Sequence, residues 1–255
     1  MCNMYSMVSN KEAIREFTKF LRVSPHVDNL PQIPGIYANG WGPIVRATDD
    51  GTRELAAVRW GLPTPPGQIK GTIDRGTTNL RTLRYWKKYL EPLNRRCVVP
   101  VTSFCEPDQV GGSFKNHWFA LDESRPLFFF AGAWLPQWQS VRKASDGPTT
   151  DDLYAFLTTE ANAEVAPIHN KAMPVILRTP EEVERWFTIP YADIESEMQH
   201  GLPDGSLKVV SVGPKFDGAE QDDAWPPKAI VPLPLPKVPK GSAAAAAKPA
   251  QGDLF

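Results

Sequence analysis

The chain has 255 residues, 42% of them hydrophobic and 22% charged, ordinary proportions for a globular protein with one large domain or two small ones. Its 28 basic and 29 acidic side chains nearly cancel, which excludes a generally polycationic nucleic-acid binder and leaves any polyanion binding to a local patch. Three cysteines, an odd number, with no secretory leader argue against a disulfide framework and for a reducing cytoplasm, and no apolar run approaches a membrane span.

The chain opens MCNMYSMVS. Cys2 is small enough for methionine aminopeptidase to remove Met1, which would leave an α-amine and a thiol on one residue. That 1,2-aminothiol can condense with an aldehyde to a five-membered thiazolidine. Reference pKa values of roughly 7.7–8.0 for the amine and about 8.5 for the thiol leave a minor reactive fraction of each at neutral pH, which small environmental shifts enlarge. Alone, Cys2 is more simply read as a residue that suits the methionine-removal rule.

Ser9-Asn10-Lys11-Glu12 reads as a capping box ahead of Ala13, Ile14, Phe17, Phe20 and Leu21 at helical spacing, so an amphipathic helix is predicted. LAAVRW (55–60) predicts a strand. In GTTNLRTLRYWKKYLEPLNRR (76–96), Arg81, Arg84, Lys87, Lys88, Arg95 and Arg96 lie among Tyr85, Trp86 and Tyr89. Basic groups there can hold phosphates while aromatic faces accept bases. A solvated amphipathic helix with its aromatics turned inward explains the stretch equally well. Asn79 is a neutral donor and acceptor able to orient a substrate oxygen or the terminal amine.

RCVVPVTSF (96–104) predicts a strand running into Cys105-Glu106-Pro107. A carboxylate at such a strand end, beside apolar neighbours, can have a raised pKa and serve as a general acid or base, although most are simply solvated. Cys97 and Cys105, eight apart, are predicted on one face of that strand as core thiols. HWFAL (117–121), LFFFAGAWL (127–135) and LYAFLTT (153–159) predict further strands. TTEANAEVAPIHNK predicts an Ala-rich helix leading to a loop with His169, flanked by Lys171. Of His26, His117, His169 and His200, only His169 occupies a predicted helix-to-strand junction. No Cys/His set has metal-ligand spacing, and neither metal nor cofactor is expected.

MPVIL (173–177) and LKVVSV (207–212) predict strands, and Thr179-Pro180-Glu181-Glu182 opens a second helix. Strands outnumber helices and rarely alternate with them. The prediction is an α+β fold, a single mainly antiparallel β domain with flanking helices over residues 1–213. From Pro214 the Pro- and Ala-rich composition predicts an extended, disordered tail over 214–255.

Taken together, Met1-Cys2, RWGL (59–62), Asn79-x-Arg81, RRCVVPVTSFCE ending in Glu106, AGAW (131–134), and TTEAN followed by IH and MPVIL resemble the SRAP (SOS response-associated peptidase) family of abasic-site DNA–protein crosslink proteins. The resemblance runs from Met1 to about Val212. It implies a sensor and shield of abasic sites in single-stranded DNA, in which the Cys2 amine forms a Schiff base with the open sugar and the thiolate closes a thiazolidine. It further implies that Glu106 shuttles protons, Asn79 positions Cys2 and the sugar, and His169 assists ring opening and proton transfer. Arg81, with Arg84, Trp86, Lys87, Lys88 and Lys171, would grip the strand without reading bases. Possible lyase and autoproteolytic activities come with the family. Where many members have Cys-Gly-Arg, this chain has Cys2-Asn3-Met4. Where they have His-Asp-Arg-Met-Pro, it has the longer His169-Asn170-Lys171-Ala172-Met173-Pro174. The aromatic that often follows RWGL-x-P is absent, which points to Trp41 or Trp86 as its substitute.

QGDLF (251–255) resembles the peptide with which bacterial proteins dock on the replicative sliding clamp, Leu254 and Phe255 filling an apolar pocket and Gln251 bonding at its rim. The expected protein is a cytoplasmic, nucleoid-associated monomer with no membrane partner. An autoprocessing thiol peptidase and a non-catalytic DNA-binding adaptor of the clamp are the competing readings.

Overall fold

The computed structural model describes residues 2–69, 71–220 and 225–226. In chain order they form β1 (Met4–Met7), α1 (Lys11–Thr18), β2 (Arg22–Val23), β3 (Ile33–Tyr37), β4 (Trp41–Ala47), β5 (Arg53–Trp60), β6 (Asn79–Leu80), α2 (Lys87–Leu90) and β7 (Arg96–Val101). There follow β8 (Ser103–Pro107), β9 (Asn116–Ala120), β10 (Phe128–Val141), β11 (Pro148–Thr159), β12 (Met173–Pro174), β13 (Ile176–Leu177), α3 (Pro180–Thr188), α4 (Ile194–Glu197) and β14 (Lys208–Val212).

Strand β11 pairs antiparallel with β10, β10 with β7, β7 with β4 and β4 with β5. Strand β5 then pairs in parallel with β11 and closes the circuit. Closure gives these strands partners on both sides, so few open edges remain. A second, antiparallel sheet runs β14-β9-β8-β1-β3. The α+β architecture read from the sequence is the one observed.

The two sheets are joined where β7 ends at Val101 and β8 begins at Ser103. The predicted single strand is therefore two, and the one-face expectation for Cys97 and Cys105 fails. Side-chain alternation counts residues only along an unbroken strand. Cys97 packs in the main core, whereas Cys105 packs with Met4 and Trp118 in a separate small cluster.

Aromatic rings organise the main core. Tyr5 meets Trp60 edge-on at 5.4 Å between centroids, Trp60 stacks on Phe156 at 5.0 Å, and Phe156 lies 4.6 Å from Phe130. The Tyr5 and Tyr154 hydroxyls share a 2.5 Å hydrogen bond, which gives two buried polar tips a mutual partner. That pair lies directly over Gly42 of β4, where a Cβ atom would strike both hydroxyl groups.

Several local expectations shift. The α1 N-cap is Asn10 rather than Ser9, its side chain accepting from Ala13 N at 2.8 Å. The helix stops at Thr18 with Lys19 left-handed (φ 51°), so Phe20 turns into the core and Leu21 to solvent. The helix predicted to open at Thr179-Pro180 is α3, and there Thr179 and Glu182 also form a reciprocal capping box. The Ala-rich segment before His169 is not a helix. Asn162 caps a tight turn, taking Val165 N on its side chain at 3.3 Å and Ala166 N on its carbonyl at 2.9 Å. Pro167 has no N–H to continue a helix and disfavours the helical conformation at Ala166.

The basic stretch 76–96 is likewise not one helix but β6, a 3₁₀ turn (Leu83–Trp86), α2 and a second 3₁₀ turn (Leu93–Arg95), with Pro92 between the last two. Arg96 at its end is fully buried. It donates to the carbonyls of Leu90, Trp186 and Ile189 at 2.6, 3.0 and 3.3 Å, satisfying the C-terminal ends of α2 and α3. It therefore cannot face DNA.

The domain also runs past Pro214, later than the boundary at 213 expected from composition. Asp217 accepts from Ser103 Oγ at 2.6 Å and takes two bonds from Arg125, and its carbonyl accepts from Ser6 Oγ at 2.8 Å. Trp225 is buried and donates to Trp41 O at 2.9 Å. Gln251, Leu254 and Phe255 lie outside the described residues. Among the described residues, no helix is long and apolar enough to cross a membrane.

Gly42→Ala should lower stability by ~1–3 kcal/mol, because the added methyl must displace the Tyr5–Tyr154 hydroxyl pair from a packed core. Thermal unfolding should show a melting temperature reduced by roughly 3–10 °C. An unchanged melting temperature would mean that the hydroxyl pair is not a fixed part of the core.

Candidate functional site

Strand β1 begins two residues after Cys2 and pairs antiparallel with β8, in the register Met4↔Cys105, Tyr5↔Phe104 and Ser6↔Ser103. Continued by one step, that register sets Asn3 opposite Glu106 and brings Cys2 to the end of β8. Cys2 is 1% exposed, and its thiol donates to Met4 O at 3.3 Å. Asn79, on the short strand β6 held in parallel against β11, donates to Cys2 O at 3.4 Å and to Thr78 Oγ1 at 2.7 Å. Its Oδ1 is buried without a hydrogen-bond partner among the described residues. A satisfied core rarely leaves such an acceptor, so it marks a place where a further donor can bind.

Glu106 is fully buried and His169 is 1% exposed, with Nδ1 lying 3.6 Å from Glu106 Oε2. His169 Nδ1 also lies 3.0 Å from Ala172 O, and a carbonyl only accepts, so this nitrogen carries the proton and the lone pair falls on Nε2. Ala172, within the His169–Pro174 loop, thus supplies the carbonyl that fixes the ring. Four residues far apart in sequence, Cys2, Asn79, Glu106 and His169, meet at one buried place.

Burial governs the electrostatics. It pushes the Glu106 carboxyl from an ordinary 4.5 up to about 8, with the positive charge of the Met1 amine acting against the shift. Burial and then the Glu106 charge push the Cys2 thiol well above its ordinary value, and Cys105 adds to the effect. Burial also lowers the His169 imidazole, partly offset by the Ala172 carbonyl. Near neutral pH the group therefore comprises a protonated thiol, a neutral imidazole and a carboxyl that exchanges its proton in the working range. Among the described residues, no three His, Cys, Asp or Glu side chains are grouped so as to hold a metal ion.

The expected nucleic-acid contacts are less uniform. Arg81 is exposed and pairs with Glu160 at 3.1 Å, lining with Arg84, Thr159 and Gln199 a cleft of about 700 Å³. Lys87 pairs with Glu91 at 3.5 Å. Lys171 is exposed two residues beyond His169. Trp86, expected to stack on DNA, is only 6% exposed and packs in the core beside Tyr89. The exposed aromatic is its neighbour Tyr85, at 63%, with the Arg84 guanidinium over its ring at 5.0 Å. The amphipathic alternation of this segment contained that signal, but the broken helix changes which ring faces out.

A model of the SOS response associated peptidase (SRAP) family matches residues 1–216. Among solved structures, a protein from Bacteroides thetaiotaomicron aligns at 23% identity over 81% of this chain and 90% of its own, with a TM-score of 0.62. A protein from Bordetella bronchiseptica aligns at 22% identity over 81% and 97%, with a TM-score of 0.60. A phage-related protein from the same organism aligns at 20% identity over 81% and 92%, with a TM-score of 0.55. No functionally curated protein matches the chain. These structures share the fold, and the family match spans both sheets and all four converging residues: the chain belongs to the SOS response associated peptidase family, a family of the DNA-damage response.

Proposed function

We propose that this protein traps abasic sites in single-stranded DNA as a covalent thiazolidine at Cys2, once Met1 has been removed. The observation that carries the reading is the convergence of Cys2, Asn79, Glu106 and His169 in one buried group at the start of the chain. The Cys2 amine adds to the aldehyde carbon of the open sugar, and the carbinolamine loses water to give an imine. The thiol then adds to the imine carbon, its proton passing to the former imine nitrogen. One aldehyde and one aminothiol give one thiazolidine and one water.

The resident groups suit these steps. Glu106, titrating near 8, can protonate the departing hydroxyl and afterwards accept a proton from the amine or the thiol. The elevated Cys2 thiol needs such an acceptor, since little thiolate forms unaided. The unpaired Asn79 Oδ1 can receive a hydrogen bond from the new amine or from a sugar hydroxyl. His169, held neutral by its surroundings, can act on the sugar ring oxygen as the ring opens. We also propose that QGDLF (251–255) docks the protein on the replicative sliding clamp.

Intact-mass analysis should find protein without Met1 that gains one heat-stable adduct with an abasic single-stranded oligonucleotide, mapping to Cys2. Cys2→Ser should lose the heat-stable adduct while its amine still gives a borohydride-trappable imine. Protein lacking Met1 that forms no adduct would overturn the reading and leave peptide hydrolysis by the same residues.

Glu106 also has a signature in stability. A carboxyl raised on folding keeps a proton that the unfolded chain releases, so its burial is harmless below the ordinary value of 4.5 and increasingly destabilising as pH rises through about 8. Glu106→Gln should therefore raise the melting temperature by at least ~3 °C at about pH 8.5 and by much less at about pH 5. Equal effects at the two pH values would contradict the elevated carboxyl.

Deleting residues 251–255 should abolish binding to the purified clamp in a pull-down and leave crosslinking of free DNA intact. Undiminished clamp binding by the truncated chain would sink the docking proposal.

A further inference from the structure

We propose that Arg75, Arg142 and Lys143 form a phosphate-binding subsite for the single-stranded DNA backbone flanking the reacting sugar, an inference that rests on the crosslinking reading above. The three cations line one surface depression of about 400 Å³, together with Ala38, Asn39 and Ile73. They come from two segments. Arg75 lies on the loop leading into β6, and Arg142 and Lys143 lie in the turn joining the long strands β10 and β11.

The charges are differently placed from those of the 81–88 stretch. Arg81 and Lys87 there each have a carboxylate partner, at 3.1 and 3.5 Å. Arg75 and Lys143 are exposed, and neither has an ion-pair partner among the described residues. Arg142 is 3% exposed and donates through Nη2 to Gly61 O at 2.8 Å and through Nε to Ser140 Oγ at 2.9 Å. Its Nη1 has no hydrogen-bond partner among the described residues. The nearest carboxylate oxygen, Asp74 Oδ1, is 3.9 Å away and already accepts from Gly76 N and Thr64 N at 2.9 and 3.2 Å. Two exposed cations without carboxylate partners, set beside a buried guanidinium that adds its positive charge from beneath, suit a phosphodiester oxygen.

Position ties the subsite to the reactive end. The Ala38–Asn39 wall is bonded to the chain beside Cys2, with Ala38 N donating to Asn3 O at 3.3 Å. Arg75 precedes Asn79 by four residues, so the two lie within about 14 Å along the chain. Asn79 in turn holds the Cys2 carbonyl. A strand whose sugar reaches Cys2 thus has a neighbouring phosphate within range of the depression. Contacts to phosphate alone are sequence-independent, as a lesion without a base demands.

The test is non-covalent binding of an unmodified single-stranded oligonucleotide, followed by fluorescence anisotropy over a series of salt concentrations. Arg75→Ala/Lys143→Ala should reduce the slope of log K against log salt by about 1.4, equivalent to roughly 25-fold weaker binding at about 0.1 M salt. Its melting temperature should be unchanged, and Arg75→Lys/Lys143→Arg should restore the slope. Wild-type affinity and slope in the double alanine variant would overturn the subsite, as would a loss of affinity accompanied by a lower melting temperature and no rescue by the charge-conserving pair. Because the probe lacks an aldehyde, failure of the wild type to crosslink abasic DNA would refute the proposed reaction and leave this measurement independent of it.

Discussion

The pairing of β1 with β8 fixes where Cys2 lies. A terminal residue is ordinarily the least ordered part of a protein, since it has little to bury and much freedom to lose. Here Met4, Tyr5 and Ser6 are hydrogen-bonded in register to Cys105, Phe104 and Ser103, and Tyr5 is locked into the aromatic core by Trp60, Phe130 and Tyr154. Cys2 is therefore carried to a defined position by core packing a few residues away. The break at Thr102 matters for the same reason. It lets one continuous segment supply β7 to the closed barrel and then β8 to the second sheet, so that Glu106 emerges beside Cys2 rather than on the barrel wall.

That placement sets stability against chemistry. A carboxyl, a thiol and an imidazole are withdrawn from water together, and each shifts toward its neutral form. A buried carboxylate is destabilising, but a carboxyl titrating near 8 is a better proton shuttle at neutral pH than one titrating at 4.5. The surrounding scaffold offsets the cost with ordinary means: ring packing, Arg96 closing two helix ends, and Asp217 tying the last described segments to Ser6, Ser103 and Arg125.

Charge on the surface follows a similar division. Basic residues clustered in sequence are partly neutralised where they stand, because Arg81 and Lys87 meet Glu160 and Glu91. Arg75 and Lys143, far apart in sequence, converge beside Arg142, and among the described residues neither has a carboxylate partner. The density of Lys and Arg along a chain is thus a poor guide to its electrostatic field, which depends on what the fold brings opposite each charge.

The sequence by itself determined the strand-rich architecture, the start of α3 at Thr179-Pro180 and the family motifs, and it singled out Cys2, Asn79, Glu106 and His169 as candidates. Each rests on local pattern: apolar runs bounded by turns, a proline at the first helical position, or a motif in a fixed order. Only the tertiary structure decided that Cys97 and Cys105 serve different sheets, that Arg96 is a buried cap, that Trp86 packs inward while Tyr85 faces out, and that the segment before His169 is a pair of turns. It also decided that the domain continues through Asp217. The physical reason is common to all of these. Periodicity specifies which residues share a face while an element continues, but where an element stops is settled by partners distant in sequence, such as carbonyls needing a donor, hydroxyls needing a mate and rings filling the remaining volume.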